Sequence, residues 1–466
     1  MNTTDTATPI LRRKCVPWPE RTTSHIPAAY WRRMPLADLL AGAAGHVRTL
    51  HLIAGPYADQ RPLREWWLAP ASAGWAIANY AGDPPRATYR RDGHAVDVVT
   101  TAPWFGECTE PATIERAWRM LGMLCRGTFD RGATLMATPA RTGLDLLQRS
   151  LPANGEYPVA PDEELRLLLA NSGQGRMEFL PTTADTSDLT WLDARWQYAA
   201  CVTNLPRGRM HHDRSHEVIE HAPAFYFGRW RAPAGWPYPF GLLPELNPDE
   251  DSGQRFVYPL DARWHTGWLT GVELDLAYRE SWDLRVSERI WWDMVGPDPA
   301  RTWATKLRTM RQHVESETVQ GAIRHLLIDT VGAWHRQARR ELHITPREQA
   351  ETIPADAYRL VLIDDAVEWL ADAPIPTALQ PMQHPEWAWT VWGRSRVRLL
   401  KAALCYLHDC PGGEIVALRS DALVVTRDPG WCDDGAVGTF RRKRRMTGVA
   451  VPHDETAYRE LLPEEE

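Results

Sequence analysis

At 466 residues the chain is long enough for two or three domains with substantial cores. A net charge of −7 excludes a uniformly basic nucleic-acid binder but leaves room for a localised basic groove. No run of 18 apolar residues is present, and the start MNTTDTATPILRRKCVP has no apolar signal core. We therefore expect no membrane-spanning helix and a cytoplasmic protein.

Seven cysteines show no Cys-x-x-Cys pair and no zinc-ligand spacing, which reads as free thiols rather than a disulfide frame. Only four of the 53 basic residues are lysines (Lys14, Lys306, Lys401, Lys443), leaving 49 arginines. Arginine gives bidentate phosphate contacts and stacks on rings; codon bias in a GC-rich genome produces the same skew. The 23 tryptophans read mostly as core or interface anchors.

In chain order, residues 1–40 are polar and proline-containing and read as an extended or partly disordered extension. Residues 41–152 alternate strand-like runs (VRTLHLIAG, WAIAN, HAVDVVTT) with a helical ATIERAWRMLGMLCRGTF, whose Ile114, Trp118, Leu121 and Cys125 share one face. That pattern suggests an α/β domain. Its first strand leads into Ile53–Ala54–Gly55–Pro56, and Asp97 is an isolated acidic residue that reads as an ordinary strand-edge Asp.

A linker and the first part of a second domain follow, over residues 153–300. Within it, Gly173–Gln174–Gly175–Arg176 places glycines beside an arginine, so the backbone can approach a phosphate; a plain loop turn fits equally well. Leu189–Thr190–Trp191–Leu192–Asp193 ends an apolar strand-like run on a carboxylate. Further strand signals are APAFYFGRW, QRFVYPL and LRVSERIWW, and GWLTGVEL reads as a strand leading into a helix. Met210–His211–His212–Asp213–x2–His216 crowds ligand-type residues onto what reads as an irregular loop, with no defined metal geometry.

Residues 301–345 turn helical, with Gly321 as the expected break between two helices and Lys306, Arg308, Arg311, Arg324, Arg336, Arg339 and Arg340 along them. Such helices can face a triphosphate or simply present a solvated basic surface. In YRLVLIDDAVEWL, Asp364–Asp365 follows a β-rich run, and the continuation AVEWL reads as a helix start. RSRVRLLKAALCYL is an amphipathic helix.

Then comes EIVALRSDALVVT, two apolar runs around Arg419–Ser420–Asp421, which reads as two strands meeting at a tight turn after the breaker Gly412–Gly413. The final segment, 431–466, carries the basic run Arg441–Arg442–Lys443–Arg444–Arg445, either a solvated tail or a DNA-contacting strip. Asp193 and Asp421 lie 228 residues apart, yet each ends a strand-like run. Two carboxylates converging from neighbouring strands are the minimum for a two-metal phosphoryl-transfer site, because Mg²⁺ takes one or two carboxylates plus substrate phosphates.

Four elements in order carry a resemblance over roughly residues 165–445. Asp193-x4-Tyr198 resembles the first polymerase motif of family B DNA polymerases, and Ser420–Asp421–Ala422 resembles the Asp-Thr-Asp turn of the third, with Arg419 in place of its first Asp. Thr390–Val391–Trp392–Gly393–Arg394 is similar to the Thr-x-x-Gly-Arg element of the protein-primed (phage, linear-plasmid and mobile-element) branch. Arg324 to Gly332, RHLLIDTVG, resembles the second motif, with Arg324 at the position of its Lys and with Ile328, Asp329 and Val331 where the family has Asn, Ser and Tyr. Gly175–Arg176 resembles the Gly-Gly-Arg element that touches template.

The resemblance implies an α+β, multidomain right-hand polymerase fold with an antiparallel-sheet palm (153–300 and 346–430) and helical fingers (301–345). A degenerate ribonuclease H-like exonuclease domain (41–152) would precede it, and a short thumb or tail (431–466) would follow. It implies a DNA polymerase with two Mg²⁺ or Mn²⁺ ions on Asp193 and Asp421. Tyr198, Arg311, Arg324 and Gly332 would bind the incoming deoxynucleoside triphosphate. Gly175, Arg176, Thr390, Gly393, Arg394, Arg441, Arg442 and Lys443 would hold primer-template DNA, with a terminal-protein primer as a further partner. Without an acidic cluster at the strand ends, proofreading is expected to be absent. Two other readings stay open: a polymerase-derived scaffold that binds nucleic acid without catalysis, and a metal-dependent nuclease centred on Asp97 or Asp364–Asp365.

Overall fold

The computed structural model describes residues 35–461 apart from 46–48, 53–60, 83–84, 107–109, 174, 184, 220–222, 250–253, 364–365 and 432–434. Ile53–Ala54–Gly55–Pro56 and Asp364–Asp365 lie outside the described residues. The chain forms two units, one of residues 1–150 and 305–381, the other of 151–304 and 382–466. Among the described residues, no helix is long and apolar enough to cross a membrane.

The first unit is built on a seven-stranded mixed sheet in the order Thr49–Leu52, His94–Thr100, Pro85–Arg91, Ala76–Gly82, Arg339–Pro346, Ala366–Ala373, Tyr358–Ile363. Only the first pair is parallel, with Thr49 opposite Asp97. Strands 85–91 and 94–100 turn through Asp92–Gly93, both at positive φ (51° and 74°), the two-residue hairpin whose twist matches its strands. Helix Pro111–Thr128 starts where Glu110 caps the amide of Thr113 and Pro111 presets φ, and it buries Ile114, Trp118, Leu121 and Cys125, the predicted face.

Several sequence expectations fail in this unit. The end of the expected helical stretch 301–345, with Arg339 and Arg340, is the strand Arg339–Pro346, because Leu342 and Ile344 alternate onto one face and pair with strand 76–82. Residues 36–43 form a helix rather than an extended segment, because Leu36, Leu39, Leu40 and Ala43 make one fully buried face. The break between the two basic helices falls at His313–Ser316, and Gly321 lies inside helix Glu317–Trp334, held by tertiary burial of Val319, Ile323, Leu326 and Leu327. AVEWL is the start of a strand, Ala366–Ala373, paired on both edges; its β-branched and aromatic residues fit a two-sided sheet position better than a helix. That strand and 358–363 extend the first unit's sheet, so the 346–430 segment, expected as one palm piece, divides at residue 381.

The second unit holds an antiparallel five-stranded sheet in the order Phe440–Ala450, Thr186–Ala194, Ala422–Val425, Ile415–Arg419, Met177–Phe179. A four-stranded sheet (265–270, 224–231, 283–292, 210–213) and a two-stranded ribbon accompany it. One face of the five-stranded sheet packs Leu192, Leu418, Leu423 and Val425 into a core with Leu399, Leu400, Ala403 and Tyr406 of helix Pro385–Asp409. The other face gathers Leu189, Val416 and Val424 beneath Val451 and Tyr458 of the C-terminal segment. The basic run is the start of strand 440–450, an edge strand rather than a tail.

Candidate two-carboxylate site

Strand 186–194 is central in the sheet, so both of its edges are hydrogen-bonded and Asp193 sits on a fixed backbone. On one edge Asp193 lies opposite Ala422, and on the other opposite Arg441. The hairpin closes with Arg419 opposite Ala422 and only Ser420 and Asp421 in the turn. Ser420 takes φ 47° to make that turn, and Trp196, three residues past Asp193, takes φ 52°. Non-glycine residues pay for such conformations, and both flank the carboxylates. The amide of Ala194 donates to the Asp421 carbonyl at 2.7 Å, which fastens the turn to the end of the Asp193 strand. The two predicted aspartates are therefore brought together from 228 residues apart.

Both carboxylates act on one phenol. Burial first, then the charges of Asp421 and Asp193, push the Tyr458 hydroxyl above its ordinary pKa, while Arg419 works the other way. Among the described residues, no third His, Cys, Asp or Glu joins a cluster that could hold a metal.

Gly175–Arg176 meets this turn directly. The Ser420 amide donates to the Arg176 carbonyl at 2.6 Å, and a Cβ on Gly175 would fall 2.8 Å from Ser420 Oγ. The Arg176 side chain itself is 1% exposed, donates to Glu178 and to the Gly241 carbonyl, and lies 3.8 Å from the Tyr258 ring centre. Thr390 is buried and bonds back to the Glu386 carbonyl at 2.7 Å, and Gly393 lets Thr270 approach within 2.5 Å of where a Cβ would stand. Arg394 grips the C-terminal carbonyls of the turn after Asp193: Cys201 at 3.0 Å, Asn204 at 3.1 Å, and Thr203. Burial holds its pKa below the ordinary value.

Tyr198 lies on the short helix Gln197–Cys201 that directly follows the Asp193 strand. On strand 440–450, Arg442 and Lys443 are exposed. Arg311, Arg324 and Gly332 belong to the helices of the first unit, Arg324 and Gly332 exposed and Arg311 half-buried. Asp97, expected at a strand edge, lies mid-strand in 94–100, which is paired on both sides, and accepts from its cross-strand neighbour Thr88 Oγ1 at 2.7 Å. Residues 210–213, expected as an irregular loop, form a strand paired with 283–292, and their histidines diverge: His211 pairs with Asp293, His212 with Glu164 and Glu288, and His216 with the Val286 carbonyl.

Several organising residues escape the sequence reading. Gln197 Nε2 donates to the carbonyls of Ser395 (2.9 Å) and Ser420 (3.0 Å), tying the long helix to the hairpin turn. Arg396 and Glu273, each 1% exposed at the side chain, pair at 2.7 Å, and Glu273 also completes a capping box with Thr270. The Thr-x-x-Glu spacing of that cap is legible in sequence; the arginine 123 residues later is not.

The fold of the chain has counterparts among solved structures. The chain resembles phi29 DNA polymerase in fold. Against that protein complexed with single-stranded DNA the TM-score is 0.56 at 11% identity, covering 88% of this chain and 78% of the other. Against its complex with primer-template DNA and incoming nucleotides the TM-score is 0.55 at 11% identity, covering 86% and 76%. An orthorhombic crystal form gives 0.52 at 12% identity, covering 78% and 68%. No family model matches the sequence, and no curated protein does. At these identities the likeness is one of fold.

Proposed function

We propose that the chain is a template-directed DNA polymerase that adds deoxynucleotides to a primer 3′-hydroxyl, with Asp193 and Asp421 as its metal-binding carboxylates. The observation that carries this reading is the join of the Asp421 turn to the end of the Asp193 strand through the Ala194 amide. The donor set, two hard carboxylates without a thiolate or imidazole, fits Mg²⁺ or Mn²⁺, which complete their shells with water and substrate phosphates. Bound there, divalent ions would supply activation of the 3′-hydroxyl and stabilisation of the departing pyrophosphate.

The chain's own residues take the remaining roles. Tyr198 shapes the sugar pocket beside Asp193. Arg311, Arg324 and Gly332 belong to the fingers and meet the triphosphate. The backbone at Gly175 and Arg176 supports the turn that carries Asp421, and the helix turn at Thr390, Gly393 and Arg394 packs on Thr270 and fixes the 201–204 segment, with primer-template DNA running over them. Arg176 and Arg394 serve that surface by fixing backbone, since their guanidinium groups are engaged by carbonyls and Glu178. Arg441, Arg442 and Lys443 offer cations to the duplex backbone. Residues 41–152 act as an exonuclease-derived domain without proofreading, the chain works in the cytoplasm, and a terminal protein can supply the primer.

A second reading, a scaffold that binds DNA without extending it, draws on Ile328 and Val331, which stand where the resembled second motif has Asn and Tyr. Primer extension with Mg²⁺ or Mn²⁺ separates the two: the enzyme extends and loses extension on Asp421→Asn, whereas the scaffold binds without extending.

A further inference from the structure

The register across the five-stranded sheet puts Met177, Arg419, Ala422, Asp193 and Arg441 in one row, hence on one face. The next row on that face holds Phe179, Ala417, Val424 and Trp191. Over this second row lies Tyr458 of helix Glu455–Leu461, 5% exposed, edge-on to Trp191 at 6.1 Å and to Phe179 at 5.9 Å. Two cations stack on the trio: Arg419 at 4.4 Å from Tyr458 and 5.6 Å from Phe179, and Lys443 at 4.4 Å from Trp191.

Arg419 stands two strands from Asp193, about 10 Å by strand spacing, with only the small Ala422 between, and it opens the turn that displays Asp421. A guanidinium on a long stem covers that distance and forms bidentate pairs with carboxylates. Such pairing draws on the same oxygens that a divalent ion needs. A ring face is the counterweight: it attracts the guanidinium without using the carboxylates.

We propose that Tyr458 is a positioning residue for the two-carboxylate site: its ring, carried by the C-terminal helix, holds Arg419 against the aromatic trio and so limits the arginine's competition with a divalent ion for Asp193 and Asp421. The inference rests on the metal-site reading above. It explains how the turn tolerates an arginine where an acid is expected, and it assigns the C-terminal helix a task at the site.

The test is Mn²⁺ titration of the full chain, followed by electron paramagnetic resonance without DNA or nucleotide, so that binding is read apart from activity. Tyr458→Met keeps buried volume without a ring face and should raise the Mn²⁺ concentration for half-saturation about three- to tenfold, the size of a cation–π contact. Tyr458→Phe keeps the ring and should titrate like the parent. In Arg419→Met/Tyr458→Met the competing cation is gone, so the weakening should vanish. Thermal unfolding is followed for each variant; if Tyr458→Met does not fold, Phe179→Leu removes the second ring and should shift the titration the same way by less.

Parent binding that depends on Asp421 but is unmoved by Tyr458→Met overturns this proposal and leaves the metal site standing. So does weakening that persists in the double variant, since Tyr458 then acts without Arg419. If the parent binds Mn²⁺ no better than Asp421→Asn, both the metal site and the proposal fall.

Discussion

Replacing Arg396 with methionine should be among the most damaging single changes in the second unit. The guanidinium donates to Glu273 at 2.7 Å and to the Gly173 carbonyl at 3.2 Å, and it lies 5.4 Å from the Phe256 ring centre. Burial works against its charge, but Glu273, followed by Tyr258, more than offsets this and leaves its pKa raised. Methionine fills most of the volume yet strands a buried carboxylate. One Glu273 oxygen would keep its bonds from the Thr270 amide (2.9 Å) and hydroxyl (2.8 Å), and the other would lose its partner. Breaking a buried pair from one side costs about 3–5 kcal/mol, against a total of roughly 5–15 kcal/mol for a domain. Arg396→Met/Glu273→Gln removes the stranded charge while keeping a cap acceptor, and it should recover more than half of the loss. Urea unfolding read by tryptophan fluorescence gives the midpoints, and the double-mutant cycle gives the coupling. A single-variant cost below about 1 kcal/mol would refute this account of the pair, since it would mean that water reaches the site.

His51 predicts acid sensitivity in the first unit: buried against Trp118 at 4.8 Å, it is pushed down to about 3. It stays neutral when folded, while the unfolded chain takes up the proton below about pH 6.5, so stability falls with pH through that range, by about 2 kcal/mol from pH 7 to pH 5. His51→Phe should flatten that dependence in urea titrations at the two pH values. Gly393→Ala drives a methyl group into Thr270 and should cost about 1–3 kcal/mol, read by thermal unfolding. Arg442→Gln and Lys443→Gln should each lower the slope of log affinity for duplex DNA against log salt by about 1, whereas Asp421→Asn leaves the slope alone.

The hairpin at 415–425 and the strand ending at Asp193 are legible because each is a short apolar run closed by polar turn residues, a signal that needs no tertiary information. Helix 111–128 is readable for the same reason, through its 3.6-residue face. Strand 366–373 is not: VEWL suits either state until its two neighbouring strands, 358–363 just before it and 339–346 further upstream, hydrogen-bond it. Gly321 misleads because burial on both sides of it outweighs its intrinsic helix cost. Within the site, the aspartates can be found by their place at strand ends. Arg396, Gln197 and Tyr458 cannot, because their partners Glu273, Ser420 and Arg419 lie 123, 223 and 39 residues away and share no periodicity with them.

The central claim is that Asp193 and Asp421 together form a catalytic metal site. Primer extension on a primed template, with Mg²⁺ or Mn²⁺ and all four deoxynucleotides, tests it most directly when the parent chain is run beside Asp421→Asn and Asp193→Asn. The parent should show templated extension, either variant should lose at least about a thousandfold given how much such ions stabilise the transition state, and duplex affinity should be unchanged in both. Extension that survives either substitution, or a parent that binds primed DNA and extends it with neither metal, would contradict it.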